Sequence, residues 1–267
     1  LIELARLRKV TKQNDWGDPV PEDIFLGYNL NHPNVGLLRS RLFKMRYLTF
    51  DSGSNLYDGE LKSAVQLFQA DHGLNDDGVA GSYTLQALNV KAKTRLIQVI
   101  VNLERIRWSD FTHESKYILV NQPNFQAYLI EDGVAVWQSR VVIGLPEHQT
   151  QEFRDQMTHL IINPVWHVPR SISIAEYLPI LKEDPEFLEE NDMSLIVRGT
   201  EQKIDPKLID MSKFESNNFP FMIKQNPSNI NALGVVKFMF PNEFNIYMHD
   251  TPMKELFFKD ERTFSHG

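Results

Sequence analysis

Apolar positions over the first ninety residues recur at spacings of three and four, the period of helices that bury one face. Leu1, Leu4, Leu7 and Val10 mark an amphipathic helix within residues 1–16, and Asp18-Pro19-Val20-Pro21 breaks it, because proline cannot continue a helix. The stretch to about Val35 is loop-like. No partner for the first helix stands near it in the chain, so residues 1–36 are expected to be the remnant of an upstream scaffold region. Leu38, Leu42 and Met45 then share a helical face, and Asp51-Ser52-Gly53-Ser54 supplies a turn. Leu61, Ala64, Val65 and Phe68 form the buried face of a second helix from Asp58 to about Asp71. Gly73 is suited to end it in the left-handed conformation. Asp76-Asp77-Gly78-Val79-Ala80-Gly81 makes a tight loop, and Ser82 is placed to cap a third helix containing Leu85 and Leu88. The pattern predicts a three-helix domain over 37–91. A linker helix within 92–116 follows, with Leu96, Val99, Leu103 and Ile106 on one face, expected to pack between two domains.

From residue 117 the period shortens to two. Residues 117–121, 125–130 and 134–137 are strand-like, and the Asp132-Gly133 between the last two is a hairpin signal, since this pair accepts positive φ. Residues 141–144 are expected to extend the second arm. Past an extended segment at 159–170 the chain turns polar and mostly helical over about 170–228, with helices at 174–181 and 185–190 and a charged stretch at 203–214. An insertion of that size in a β domain suggests a capping subdomain, a lid over a cleft. Residues 232–241 are strand-like again and Asn242-Glu243 turns. In a strand over 244–249, Asn245, Tyr247 and His249 would share one face and Phe244, Ile246 and Met248 the other. The fold class is therefore α+β.

Composition narrows the function classes. Hydrophobic residues make up 42% and charged residues 24%, ordinary for a globular protein, and 17 Phe and 4 Trp supply core material. The net charge of −7, without a basic stripe to displace phosphate counterions, argues against nucleic acid. It suits a small or glycan-peptide substrate. The absence of cysteine excludes a disulfide framework and thiolate metal sites, and no HExxH or other zinc pattern occurs. No metal and no cofactor are expected. No apolar run reaches eighteen residues, and the first residue is Leu with no signal peptide after it. Both ends are expected to be cut from a longer protein, with any export signal or membrane anchor upstream.

Candidate chemistry gathers in the last twenty residues. His249 ends the alternating run, and His266 lies 17 residues later in Ser265-His266-Gly267. A histidine at a strand tip and another in a tight glycine turn can serve a nucleophile and leave backbone N–H groups for an oxyanion. On these residues alone, two satisfied surface or core histidines are an equal account. The pattern His249-Asp250-Thr251 … Ser265-His266-Gly267 resembles the signature of L,D-transpeptidases of the YkuD type, in which Ser-His-Gly is followed at once by the nucleophilic cysteine. The sequence stops one residue short of it. Upstream, Leu38, Leu42, Ala64-Val65, Phe68-Gln69, Gly73-Leu74, Asp77-Gly78-Val79, Gly81 and Thr84-Leu85 resemble the small peptidoglycan-binding domains. Within that pattern the apolar positions are core by periodicity, and Asp77 and Gly78 are turn formers. Asn163-Pro164, Trp166 and Pro169 resemble the point at which the larger periplasmic Gram-negative members carry an insertion.

The resemblance implies a β-sandwich catalytic domain over 117–267 and a set of roles. His249 would be the base, oriented by the main-chain carbonyl of Asp250. A triad through the Asp250 carboxylate is the weaker alternative, because successive strand side chains point to opposite faces. His266 would shape the pocket, and the N–H after Gly267, helped by Tyr247 or Gly267, would hold the oxyanion. Ser265 and Phe240 would contact substrate. Trp166 is either a cleft wall or a core anchor, and His159 and His167 read as structural. The reaction implied is acyl transfer through a cysteine thioester, with donor and acceptor peptidoglycan stem peptides as partners, release of D-alanine and a 3–3 cross-link. Carbapenems would acylate the same thiol, and water as acceptor would make a carboxypeptidase. Other readings are a non-catalytic wall-binding scaffold, which the missing cysteine favours, and a metal-dependent amidase on His249 and Asp250, which lacks further ligands.

Overall fold

His32, whose ring accepts the Asn34 N–H at 3.2 Å, caps the helix α2 (Pro33–Met45), and Pro33 in its first turn has no N–H to leave unsatisfied. This helix thus starts five residues before Leu38, the first position of its expected apolar face. The computed structural model describes residues 2–13, 15–108 and 114–267; Leu1 and residues 109–113 of the expected linker lie outside them. The chain divides into two compact units, residues 1–147 with 255–266, and residues 148–254 with 267.

In the first unit, α1 (Ile2–Lys12) precedes α2, and α3 (Gly59–Asp71) begins where the Asp58 carboxylate accepts the Leu61 N–H at 2.8 Å. Gly73 ends α3 at φ +70°. In α4 (Ser82–Asn89) Gly81 is the capping residue and Ser82 the first helical one, so the expected serine cap is not made. The Ser82 hydroxyl accepts from Gln86 instead. Leu38, Leu42, Leu61, Val65, Phe68, Leu85 and Leu88 form the core, joined by Val20, Leu26 and Val35 from the stretch expected to be loop. Gln69, buried beneath the tight loop, donates to the Asp77 carboxylate and the Val79 carbonyl and accepts the Gly78 N–H. Asp77 and Gly78 therefore serve the turn.

The helix α1 does have a partner. Leu7 and Val10 pack with Trp16, Ala92, Leu96 and Val99, the latter three from α5 (Ala92–Trp108), which the chain reaches only after the whole three-helix core. Leu103 and Ile106, farther along α5, are exposed.

The strands β1 (Lys116–Asn121), β2 (Gln126–Glu131) and β3 (Val134–Arg140) form an antiparallel meander. Asp132 and Gly133, at φ +49° and +79°, close its hairpin as a two-residue turn with both angles positive. Residues 141–144 do not extend β3. They yield β4 (Ile143–Gly144), which pairs in parallel with the terminal strand β12 (Thr263–Ser265) and receives it through Ile143 N–H to Arg262 O and Leu145 N–H to Ser265 O, both 2.9 Å.

The second unit opens with β5 (His159–Ile162) and β6 (Trp166–His167). Helix α6 (Arg170–Ile172) passes through a π turn at Ser173–Tyr177 into α7 (Leu178–Glu183), with Pro179 just beyond the widened turn, where the helical ladder can accommodate a residue without N–H. The short α8 (Phe187–Glu190) leads into β7 (Met193–Val197), β8 (Lys203–Ile204) and β9 (Phe221–Gln225). These strands and β6 make a sheet in the order β6-β9-β7-β8. The expected charged stretch at 203–214 is a strand and two 3₁₀ turns, because Asp205 and Asp210 accept the N–H groups two residues on. Leu178, Leu181, Leu188, Leu195, Phe219 and Ile223 form a core of their own beside this sheet. A second sheet, β5-β10-β11, contains β10 (Val236–Met239) and β11 (Met248–His249). The architecture is α+β. Among the described residues no helix is long and apolar enough to cross a membrane.

Candidate active site

Two buried amides organise the loop that leads into β10. Gln225, at the end of β9, donates to the carbonyls of Asn191 and Ile230 and accepts the Ala232 N–H at 2.9 Å. Asn231, with no exposed surface, donates to Pro164 O at 3.2 Å and Asn226 O at 2.9 Å and accepts the Leu233 N–H at 2.8 Å. The buried backbone groups of the loop, such as the Leu233 N–H, need such partners. Gly234 follows at φ +59°, and a Cβ there would run into the Asp250 side chain. The loop thus hands β10 to β5 on one side and β11 on the other.

The register between β10 and β11 places Lys237 opposite His249 and Phe238 opposite Met248. Directly opposed residues share a face of the sheet. The expected strand over 244–249 is shorter than its alternation predicts. Asn245 has φ +58°, and the Asn242 side chain accepts the N–H groups of Phe244 and Ile246, so residues 242–247 form a loop. Tyr247 nevertheless comes to lie beside His249, with ring centroids 5.7 Å apart. The Lys237 ammonium sits over the Tyr247 ring, 3.6 Å from its centroid.

His249 meets the Asp250 main-chain carbonyl through Nδ1 at 2.5 Å. That contact requires hydrogen on Nδ1, so in the neutral ring Nε2 keeps its lone pair. Desolvation lowers the His249 pKa, the Asp250 carbonyl opposes it, and the charge of Lys237 lowers it further. The neutral imidazole prevails at pH 7. The Asp250 carboxylate is turned to other partners, the Val235 N–H at 3.1 Å and the Lys254 ammonium. Desolvation raises its pKa, but the hydrogen bonds from Lys254, Val235 and Thr251 and the charge of Lys254 outweigh that and leave it below the usual range. Burial raises the Tyr247 pKa against a hydrogen bond from Trp166, so its hydroxyl stays protonated.

Trp166 is half-buried, packs against the core around Leu178 and Ile223 and stands edge-on to Tyr177 at 6.3 Å. Through Tyr247 it also belongs to the His249 cluster. Phe240 packs with Phe153 at 5.9 Å and lies outside that cluster, in an aromatic group with Phe244. Gly267 belongs to the same unit, at φ +99°, where a Cβ would stand 3.0 Å from His148 O. Ser265 and His266 belong to the first unit, on and just after β12. There Arg262, fully buried, donates to Lys259 O at 2.6 Å and Gly73 O at 3.1 Å and holds the approach to Ser265. His159 and His167 are exposed.

Sequence reasoning did not single out Lys237, Gln225, Asn231, Gly234 or Arg262. A lysine inside the apolar run 235–240 was the one available signal, since a charge on a half-buried strand needs a reason. Among the described residues no three His, Asp or Glu side chains gather as a metal-binding group. The arrangement offers a neutral imidazole base, a protonated phenol and an ammonium on one face, which suits acyl transfer from an anionic substrate.

The family model for the L,D-transpeptidase catalytic domain, YkuD, matches residues 115–267. That of the "Putative peptidoglycan binding domain" matches residues 31–88. A Haemophilus influenzae protein named "Putative L,D-transpeptidase" is 31% identical over 170 residues, 64% of this chain and 34% of that protein. "General secretion pathway protein A" of Aeromonas hydrophila is 58% identical over 36 residues, 14% of this chain and 7% of that protein. Neither match extends over more than about a third of the relative's own length.

Proposed function

The chain belongs to the YkuD family of L,D-transpeptidase catalytic domains, and we propose that it forms 3–3 cross-links between peptidoglycan stem peptides through a cysteine thioester. The single observation that carries this reading is the state of His249, a neutral imidazole held through Nδ1 by the Asp250 carbonyl with Nε2 left to accept a proton. The nucleophile of this reading is a cysteine immediately after Gly267, outside the 267 residues. A free thiol has a pKa of about 8.5, so at neutral pH it needs a base beside it.

In the proposed reaction the thiol proton passes to His249 Nε2, and the sulfur attacks the carbonyl between the diamino acid and the terminal D-alanine of the donor. The carbon–sulfur bond forms and the carbon–nitrogen bond breaks, with the proton returned to the leaving amine. An amine of a second stem then attacks the thioester and gives up its proton to His249 as the sulfur leaves. Tyr247, held by Trp166 as a neutral donor, and the main chain of Gly267 are assigned to the oxyanion. The segment 31–88 is assigned to the wall polymer, and the protein to the periplasm.

A second reading is a non-catalytic wall-binding scaffold, which the match of residues 31–88 to the peptidoglycan-binding family supports. Intact-mass spectrometry of the full-length protein with and without a carbapenem separates the two. A gain of one drug equivalent, abolished by His249→Ala or by alkylating the thiol first, is expected from the enzyme. A full-length protein that carries no cysteine and gains no mass is the scaffold. Water as acceptor would show as free tripeptide stem without cross-linked product.

A further inference from the structure

Lys237 stands directly across the sheet from the base. It is half-buried, its ammonium lies 3.6 Å from the Tyr247 ring centroid, and it lies close enough to His249 for its charge to lower that group's pKa. A lysine taken from water is ordinarily paired with a carboxylate, because an uncompensated buried charge is costly. Among the described residues no Asp or Glu forms an ion pair with Lys237. The Asp250 carboxylate, the acidic group adjacent to His249, is occupied by Lys254 and by the Val235 N–H. Desolvation alone moves the Lys237 pKa, downward, with no carboxylate acting to raise it. An ammonium carried on a rigid strand, desolvated, stacked on an aromatic face and lacking a carboxylate partner is built to receive an anion from outside the chain.

We propose that Lys237 is the specificity residue for the donor's C-terminal carboxylate, the charge carried by the amino acid that leaves. The assignment rests on the acyl-transfer reading above. Its geometric basis is proximity to the base. His249 marks where the scissile bond must sit, and the leaving residue's carboxylate is separated from that bond by a single α-carbon. A cation one strand away, 4.5–5.5 Å being the usual spacing of opposed residues, matches a charge at that remove. Lys237 would thereby restrict the donor to stems ending at the residue after the diamino acid, with a free acid. It would also be neutralised by substrate, which relieves its depressing effect on His249 and makes the imidazole a stronger base in the complex than in the free protein.

The test uses full-length protein and three donor peptides: the tetrapeptide stem, the same stem with its terminal carboxylate as carboxamide, and the stem amidated on the diamino acid's own carboxylate. Both turnover and equilibrium binding by calorimetry are measured, for wild type and for Lys237→Gln and Lys237→Arg. Wild type is expected to prefer the free acid over the terminal carboxamide by roughly ten- to a hundredfold, the range of a charge-assisted hydrogen bond. Lys237→Gln should lose that preference in equilibrium binding and in the acid-to-amide ratio of turnover, by weakening the acid, and Lys237→Arg should restore most of it. A Lys237→Gln protein that keeps the acid-over-amide ratio overturns the proposal. So does a preference that Lys237→Gln abolishes only for the diamino acid's carboxylate. Binding that is acid-selective through Lys237 without D-alanine release would support the carboxylate site and refute the transpeptidase reading. Turnover of acid and terminal carboxamide at equal rates would refute the site and keep the reaction.

Discussion

Asn231→Ala should loosen the approach to the active-site sheet by an amount that can be worked from its hydrogen bonds. The side chain is wholly buried, and it donates to Pro164 O and Asn226 O and accepts the Leu233 N–H. Truncation leaves two carbonyls and one amide without these partners; the bonds to Pro164 O and from Leu233 N–H are buried, whereas Asn226 stands at the surface. Each buried polar group left unmet costs about 1–3 kcal/mol, and water admitted to the small void recovers part of it. A total of about 3–5 kcal/mol is expected, a large share of the 5–15 kcal/mol that typically holds a domain together. Two compact units need not unfold together, so a single denaturation midpoint is the wrong measure. Native-state hydrogen exchange at the Leu233 and Gly234 amides is the direct one. Protection there should fall by about a hundredfold or more, since about 1.4 kcal/mol is tenfold. Exchange in the helical core around Leu61 and Leu85 should be unaffected. A fall of less than about fivefold at Leu233 would refute the view that this amide holds the loop.

Three further outcomes follow from the same reasoning. The His249 pKa lies below its ordinary 6.5, chiefly through desolvation, so its NMR titration midpoint should fall below that value and rise in Lys237→Met. By linkage, the stability His249 contributes is whole above pH 6.5 and is lost as pH falls through the folded pKa; a midpoint at or above 6.5 contradicts this. Arg262→Met keeps the volume but leaves the carbonyls of Gly73 and Lys259 without their donor, and should cost about 2–4 kcal/mol and speed exchange at Ile143 and Leu145. Unchanged exchange there would count against the anchoring role. Gly133→Ala meets open space at φ +79° and should cost about 1–2 kcal/mol, whereas Gly234→Ala meets Asp250 as well and should cost more. Equal losses of native-state amide protection beside the two glycines would deny that contact.

Elements written in short-range chemistry were legible before any coordinates. The Asp132-Gly133 hairpin and the left-handed Gly73 each depend on residues within a few positions of one another. Backbone sterics and local hydrogen bonds decide them, so residue type and spacing suffice. The family motif was legible by resemblance, as the two short strings His249-Asp250-Thr251 and Ser265-His266-Gly267.

What escaped the sequence lies in contacts between distant positions. Helix α1 finds its partner in α5, and β4 pairs with β12 across more than a hundred residues. The Asn75 N–H meets the Asp260 carboxylate at a separation of 185 positions. Alternation suggested one strand over 244–249, but Asn242 drew two of its N–H groups into a turn, a side-chain competition that periodicity does not register. The face on which Lys237 meets His249 depended on the register of β10 against β11, because a shift of one residue would turn the ammonium to the other side. Desolvation by the surrounding groups then lowered the pKa of both. An isolated chain leaves them solvated and ordinary, and only packing removes the water that kept them so.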